Sequence, residues 1–280
     1  MTANAAPPAT PARVDVISIQ SQVVYGCVGN NAALPVLREA GYRAVAVPTV
    51  VLSNTPHYPS LYGGAVPAEW FEGLLQGLWD RGVVAQARAI VCGYLGNPAQ
   101  ADLLARWLPR VRQARPGLPV FIDPVLGDSN DGLYVDAGLV EQYRKLLVPL
   151  ADGMTPNHFE LETLAGRPLA TLDEVIAAAR GLIAQGPRWV VATSAAPRAS
   201  AQGALQLVVV TRDDAVVVSH PEIAIPPSVH GTGDVFMAAM AAGVLDGLEL
   251  AEAARRAAAR VTRALARTRE LGWEELAADA

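Results

Sequence analysis

The chain has 280 residues, 51% of them hydrophobic and only 18% charged, with a formal net charge of −5. That is too apolar for a disordered chain and long enough to bury a large sheet, and the acidic balance without any basic run argues against a nucleic-acid partner. The two cysteines, Cys27 and Cys92, lie far apart as expected of reduced thiols, and no apolar run approaches the roughly 20 residues that span a bilayer.

Residues 1–12, rich in Ala, Pro and Thr, lack the apolar core of a secretory signal and are expected to form a disordered tail. Residues 13–280 are expected to be one domain of a cytoplasmic protein. Short β-branched runs there alternate with helical patterns. Strands are expected over 14–19 and 44–47, with a helix over 30–40 between them closed by Gly41. A helix over 67–81 has proline in its first turn, and a strand over 89–92, a helix over 98–113 and a strand over 120–123 follow. Helices over 136–147, 157–164 and 172–184 precede a strand over 189–192. Residues 205–210 and 215–219, split by Arg212-Asp213-Asp214, read as a hairpin, and helices cover 234–245 and 249–269.

This alternation gives βαβ units: an α/β fold with a mostly parallel central sheet. In such sheets ligands bind beyond the carboxyl ends of the strands. The polar residues at those ends are Gln20-Ser21-Gln22, then Thr49 and Ser53-Asn54-Thr55-Pro56-His57-Tyr58, then Gly93-Tyr94, then Asp123-Pro124-Val125 with Tyr134 close behind. Thr155-Pro156-Asn157 with Glu160, and Thr193-Ser194, complete the series.

The segment His230-Gly231-Thr232-Gly233-Asp234 runs directly into a small-residue apolar helix. Glycines let backbone approach a ligand closely, and the free N–H groups and dipole at a helix start favour an anion. A carboxylate at that anion cradle has a role in phosphoryl transfer to a hydroxyl, as the base. Taken alone, the segment is equally a capped helix.

Together, Ser21-Gln22-Val23-Val24-Tyr25-Gly26, Ser53-Asn54, Gly93-Tyr94, Asp123-Pro124-Val125, Thr155-Pro156-Asn157 with Glu160, and Gly231-Thr232-Gly233-Asp234 resemble the pyridoxal (vitamin B6) kinases of the ribokinase-like superfamily. The resemblance covers the chain after its tail. It implies a three-layer sandwich, helices on both faces of the sheet, that uses ATP to phosphorylate the 5′-hydroxymethyl group of pyridoxal, pyridoxine and/or pyridoxamine. It makes Asp234 the base and the backbone of Gly231, Thr232 and Gly233 an anion hole. It assigns Ser21, Thr49 and His57 to the vitamer, and Asp123, Thr155, Asn157, Glu160, Thr193, Ser194 and His220 to the nucleotide. Tyr134, Glu160 and Asp123 fall to Mg²⁺ or another divalent cation, with K⁺ or Na⁺ near Thr155, and a homodimer is implied.

Blander readings stand beside these: Glu160 as a first-turn carboxylate, Thr155-Pro156-Asn157 as a cap, Thr49 satisfied by backbone, His57 as a loop histidine. Hydroxymethylpyrimidine or another small alcohol is the alternative acceptor, and a non-catalytic vitamin-binding protein the remoter alternative. One departure has chemical meaning. Many relatives carry lysine just before the glycine motif, where this chain has His230, which cannot form a stable aldimine with an aldehyde.

Overall fold

The computed structural model describes residues 12–195, 204–224, 226 and 228–278. All but one residue of the expected tail, 1–11, lie outside the described residues. The elements in chain order are β1 (Val16–Tyr25), α1 (Asn30–Glu39), β2 (Ala44–Asn54), β3 (Gly63–Ala65), α2 (Ala68–Asp80), α3 (Val83–Gln86) and β4 (Ala89–Cys92). Next come α4 (Pro98–Ala114), β5 (Val120–Ile122), β6 (Gly127–Asp128), β7 (Gly132–Leu133) and α5 (Ala137–Gln142). The rest are β8 (Gly153–Met154), α6 (His158–Ala165), α7 (Leu172–Ile183), β9 (Trp189–Ala192), β10 (Ala204–Thr211), β11 (Ala215–Pro221), α8 (Thr232–Leu245) and α9 (Leu250–Leu271).

Nine strands form one sheet in the order β11-β10-β9-β8-β5-β4-β1-β2-β3, and β6 and β7 pair separately. From β9 to β2 every neighbour is parallel. β3 and the β10–β11 hairpin add antiparallel edges. The buried strand residues alternate between the two faces, as a period of two requires. Ile17, Ile90, Cys92, Val120 and Ile122 pack towards α2 to α7, whereas Val16, Ala89, Val91 and Phe121 pack towards α1, α8 and α9. The result is the expected three-layer sandwich. No helix among the described residues is long and apolar enough to cross a membrane.

Two strands outrun the sequence expectation. β1 was expected to end at residue 19 and β2 at residue 47, yet they run on to Tyr25 and Asn54. The pairing of β1 with β4 stops at Ile19, while β1 and β2 continue together beyond it, with a register shift between Gln20 and Gln22. Pro48 stands opposite Gln20 at this irregularity, a place where a strand tolerates a missing N–H. The β-branched residues beyond it then resume the ladder. Ser21 therefore sits on a bulge rather than in a loop. Four further strands were missed for their shortness: β3, and β6, β7 and β8, which have two residues each. The helix expected over 136–147 ends in a widened turn over Tyr143–Leu147.

β8 is short but tightly constrained between β5 and β9. A Cβ on Gly153 would lie 2.0 Å from the ring of Trp189 on the neighbouring strand, itself packed on Phe121. Gly153→Ala is expected to lower stability by about 2 kcal/mol through overpacking. Gly73→Ala, at an exposed helical position with open space around it, is expected to raise stability by about 0.5–1 kcal/mol. Denaturant melts of both variants check the pair.

Candidate active site

The carboxyl ends of β1, β2, β4, β5, β8 and β9 open on one edge of the sheet, and the N-terminus of α8 points into the same edge. Residues 235–238 and 240–243 of α8 are all buried, so the helix is held on every side and its start is fixed in place. Gly231 precedes it with φ +93°, a left-handed conformation suited to glycine, and a Cβ there would lie 2.1 Å from the Cys27 carbonyl oxygen. No side chain caps this helix. The N–H groups of Thr232, Gly233 and Asp234 are thus the unspent donors of its first turn.

Asp234 is buried, and its Oδ2 accepts a 2.7 Å hydrogen bond from the Gly29 N–H in the β1–α1 loop. Ser21 is next in line, since a Cβ on Gly29 would sit 2.2 Å from the Ser21 carbonyl oxygen. Asp123 lies on the other side, its Oδ2 3.2 Å from where a Cβ on Gly233 would be. Glu160 follows. Its Oε2 accepts from the Asn157 N–H at 2.8 Å and its Oε1 from the Leu126 N–H at 2.9 Å.

Three buried carboxylates therefore form a row in front of α8. Burial is the main cause raising all three above the usual carboxylate range. Asp234 is pushed up to about 6, opposed by the Gly29 bond. Glu160 is pushed up to about 7 despite the N–H groups of Asn157, Leu126 and Gly127. Asp123 rises well above its ordinary value, through burial and then the charges of Glu160 and Asp234. The Thr155 hydroxyl beside it is buried, lies outside hydrogen-bond geometry and offsets this only weakly.

Among the other expected residues, Asn157 completes a capping box with Glu160 and donates to the Gly127 carbonyl at 2.8 Å. The cap and the site are thus one structure. Thr193 bridges to Asn157 and extends the parallel pairing, and Ser194, exposed, takes φ +52° just after it. The Tyr134 phenol donates to the Asp128 carboxylate across the β6–β7 hairpin. Burial, followed by that bond, raises the phenol well above its ordinary value. Thr49 is fully buried and its hydroxyl donates to the Tyr94 carbonyl at 2.7 Å, so it fixes the wall between β2 and the β4 loop. The His57 ring lies 4.0 Å from Tyr58 and 5.9 Å from His230. Through His230 it belongs to the group around α8.

His220 stands apart. It lies near the end of the edge strand β11, in a groove of about 460 Å³ shared with Arg255, Thr262 and Arg263 of α9, and no described contact joins it to the carboxylate row. Glu275, which follows the last helix, was not anticipated. Its Oε2 accepts from the Cys27 N–H and the Thr55 hydroxyl, each at 3.0 Å, and its Oε1 lies 3.8 Å from the His57 Nε2. The strand-end rule could not have found a residue outside the βαβ units.

An uncapped helix start, a buried carboxylate beside it and a neighbouring pair of carboxylates at the strand ends fit a ribokinase-like small-molecule kinase. The sequence profile of the phosphomethylpyrimidine kinase family matches residues 26–278. The pyridoxine/pyridoxal/pyridoxamine kinase of Bordetella bronchiseptica is 54% identical over 95% of this chain and 93% of its own length. The pyridoxal kinase of Rubrobacter xylanophilus is 36% identical over 94% of this chain and 90% of its own. The structure of Leishmania donovani pyridoxal kinase in complex with ADP and pyridoxamine superposes with a TM-score of 0.87 at 30% identity, covering 95% of this chain and 93% of that one. The chain belongs to the pyridoxal kinase family.

The raised pKa of Asp234 has a consequence for stability. In the unfolded chain it titrates near 3.8 and in the folded chain near 6, so keeping it ionised at neutral pH disfavours folding by about 3 kcal/mol. Asn at this position removes the charge and keeps an acceptor for the Gly29 N–H. Asp234→Asn is therefore expected to melt several degrees higher at pH 7.5. The gain shrinks as pH falls through 6, where folded Asp234 takes up its proton, and is gone near pH 4. Thermal melts of both proteins across this range test it.

Proposed function

We propose that this chain uses ATP to phosphorylate the 5′-hydroxymethyl group of pyridoxal, pyridoxine and/or pyridoxamine, with Asp234 as the base. The observation that carries this reading is the hydrogen bond between Gly29 and Asp234 at the mouth of α8. It occupies Oδ2 and holds the carboxylate still, leaving Oδ1 to take the proton of the acceptor hydroxyl. The raised pKa makes that carboxylate a stronger base than a free one. The N–H groups of Gly231, Thr232 and Gly233 face the charge that develops on the transferring phosphoryl group. Ser21, Thr49 and His57 line the vitamer end, and Thr155, Asn157, Thr193 and Ser194 the nucleotide end, while His220 stays in its separate groove against α9.

A divalent cation belongs to the same reading, held by two carboxylates with water rather than by a full set of protein ligands, since no cluster of three acidic, His or Cys side chains among the described residues could enclose one. Asp123 and Glu160 are both buried, their pKa values raised partly by neighbouring negative charge, with an unpartnered Thr155 hydroxyl at the side of Asp123. Asp123 and Glu160 would hold it, with Tyr134 acting through Asp128, and when bound it would offset phosphate charge. The Thr155 hydroxyl is also the place for a monovalent cation. Homodimerisation belongs to the same reading, supported by the exposed Val24, Tyr25, Leu61 and Tyr62 along the β1–β2–β3 ribbon. The match to the phosphomethylpyrimidine kinase family favours one second reading, hydroxymethylpyrimidine as acceptor.

Coupled ADP release with each vitamer and with hydroxymethylpyrimidine is expected to show turnover highest on a B6 vitamer. Asp234→Asn should lower kcat by about 10²–10⁴-fold. In the native enzyme kcat/KM should rise with pH through about 6, as Asp234 ionises. Asp234→Asn retaining full vitamer-dependent turnover would refute the base.

His230 carries a separate expectation. Borohydride reduction with pyridoxal 5′-phosphate, followed by peptide mapping, should give no reduced adduct within residues 221–234, because imidazole cannot hold an aldimine.

A further inference from the structure

The described residues after α9, 272–278, fold back over the opposite end of the chain. Leu276, Ala277 and Ala278 are buried, the Ala277 N–H donates to the Thr268 hydroxyl at 2.9 Å, and Arg260 donates to the Ala278 carbonyl. This return brings Glu275 into the β1–α1 loop. The approach depends on Gly26, which has φ +118°. A Cβ there would meet the Thr55 hydroxyl at 2.0 Å and the Glu275 Oε2 at 2.8 Å. With that space open, Oε2 gathers the Cys27 N–H and the Thr55 hydroxyl, and the two β-strand ends are tied together through one carboxylate oxygen.

The other oxygen has no hydrogen-bond partner. Oε1 of Glu275 is buried and unsatisfied, and so are both ring nitrogens of His57. Oε1 and Nε2 face each other at 3.8 Å, beyond hydrogen-bond length but short of van der Waals isolation. Buried polar atoms left in this state are costly, and a shift of under about 1 Å would satisfy two of them at once. Closing that gap makes Nε2 the donor, which fixes the imidazole tautomer and leaves Nδ1 as an acceptor. The tilted rings of Tyr58 and His230, with centroids 4.0 and 5.9 Å from that of His57, limit how far the imidazole can turn while this happens.

We infer that Glu275 is a positioning residue for vitamer binding: it accepts a proton bond from the His57 Nε2 and so presents Nδ1 to a hydrogen-bond donor of the vitamer. The inference rests on the proposed function of His57, and it makes the segment after the last helix part of substrate recognition.

Glu275→Gln separates this role from simple attachment of the segment. Its carbonyl oxygen keeps the bonds from Cys27 and Thr55, but its amide turns a donor towards Nε2 and selects the wrong tautomer. Loss of one such bond corresponds to roughly a tenfold change. Glu275→Gln is expected to raise the vitamer KM about tenfold, with the ATP KM and melting temperature unchanged. Glu275→Ala should raise it at least as much in the native background and have no further effect in a His57→Ala background. A vitamer KM in Glu275→Gln equal to that of the native enzyme would overturn the inference, as would an undiminished Glu275→Ala penalty without His57. A native enzyme inactive on every vitamer would instead overturn the function reading itself.

Discussion

The hydrogen bond from the Gly29 N–H to the Asp234 carboxylate joins residues 205 apart in sequence, and the rest of the site is arranged around it. A buried carboxylate is costly unless something holds its charge, and here one backbone donor does so only in part. The fold supplies the remainder by rigidity. α8 is packed on all sides, its entry glycine lies against the Cys27 carbonyl, and the β1–α1 loop that carries Gly29 is fixed by the strand behind it. Neither partner can move away without dismantling the layer.

That constraint explains why the site is assembled from strand ends rather than from one contiguous motif. β1 presents Ser21 on a bulge, β5 presents Asp123, and the turn after β8 presents Thr155 and the capping box of Asn157 and Glu160. Each is an ordinary local device: a register shift, a strand terminus, a helix cap. Parallel pairing brings them to one edge because every strand from β9 to β2 points the same way. Beyond burial, Asp123 is raised by the charges of Glu160 and Asp234, and Glu160 by that of Asp128. In Glu160 one carboxylate both completes a helix capping box and stands in the buried row.

The helices and most parallel strands were legible because their periodicities are local: the expected helix over 98–113 became Pro98–Ala114, and the strand over 189–192 is unchanged. The extension of β1 and β2 was not, since Pro48 and the polar Gln20 to Gln22 break the apolar run that marks a strand, and only pairing across the ribbon restores it. β8 escaped notice for the same reason. Gly153 is there to clear the Trp189 ring, a demand made by another strand. His220 was grouped with the nucleotide residues by resemblance, while the structure puts it in a separate groove against α9.

By itself the sequence determined the α/β class, the strand ends that carry the polar residues and the glycine-flanked aspartate at a helix start, because each is written in short-range pattern and spacing. Tertiary structure alone decided which of those residues meet, how strongly burial raises their carboxylates, and that Glu275 reaches His57 across the β1–α1 loop. Long-range approach depends on packing between segments hundreds of residues apart, and no local pattern encodes it.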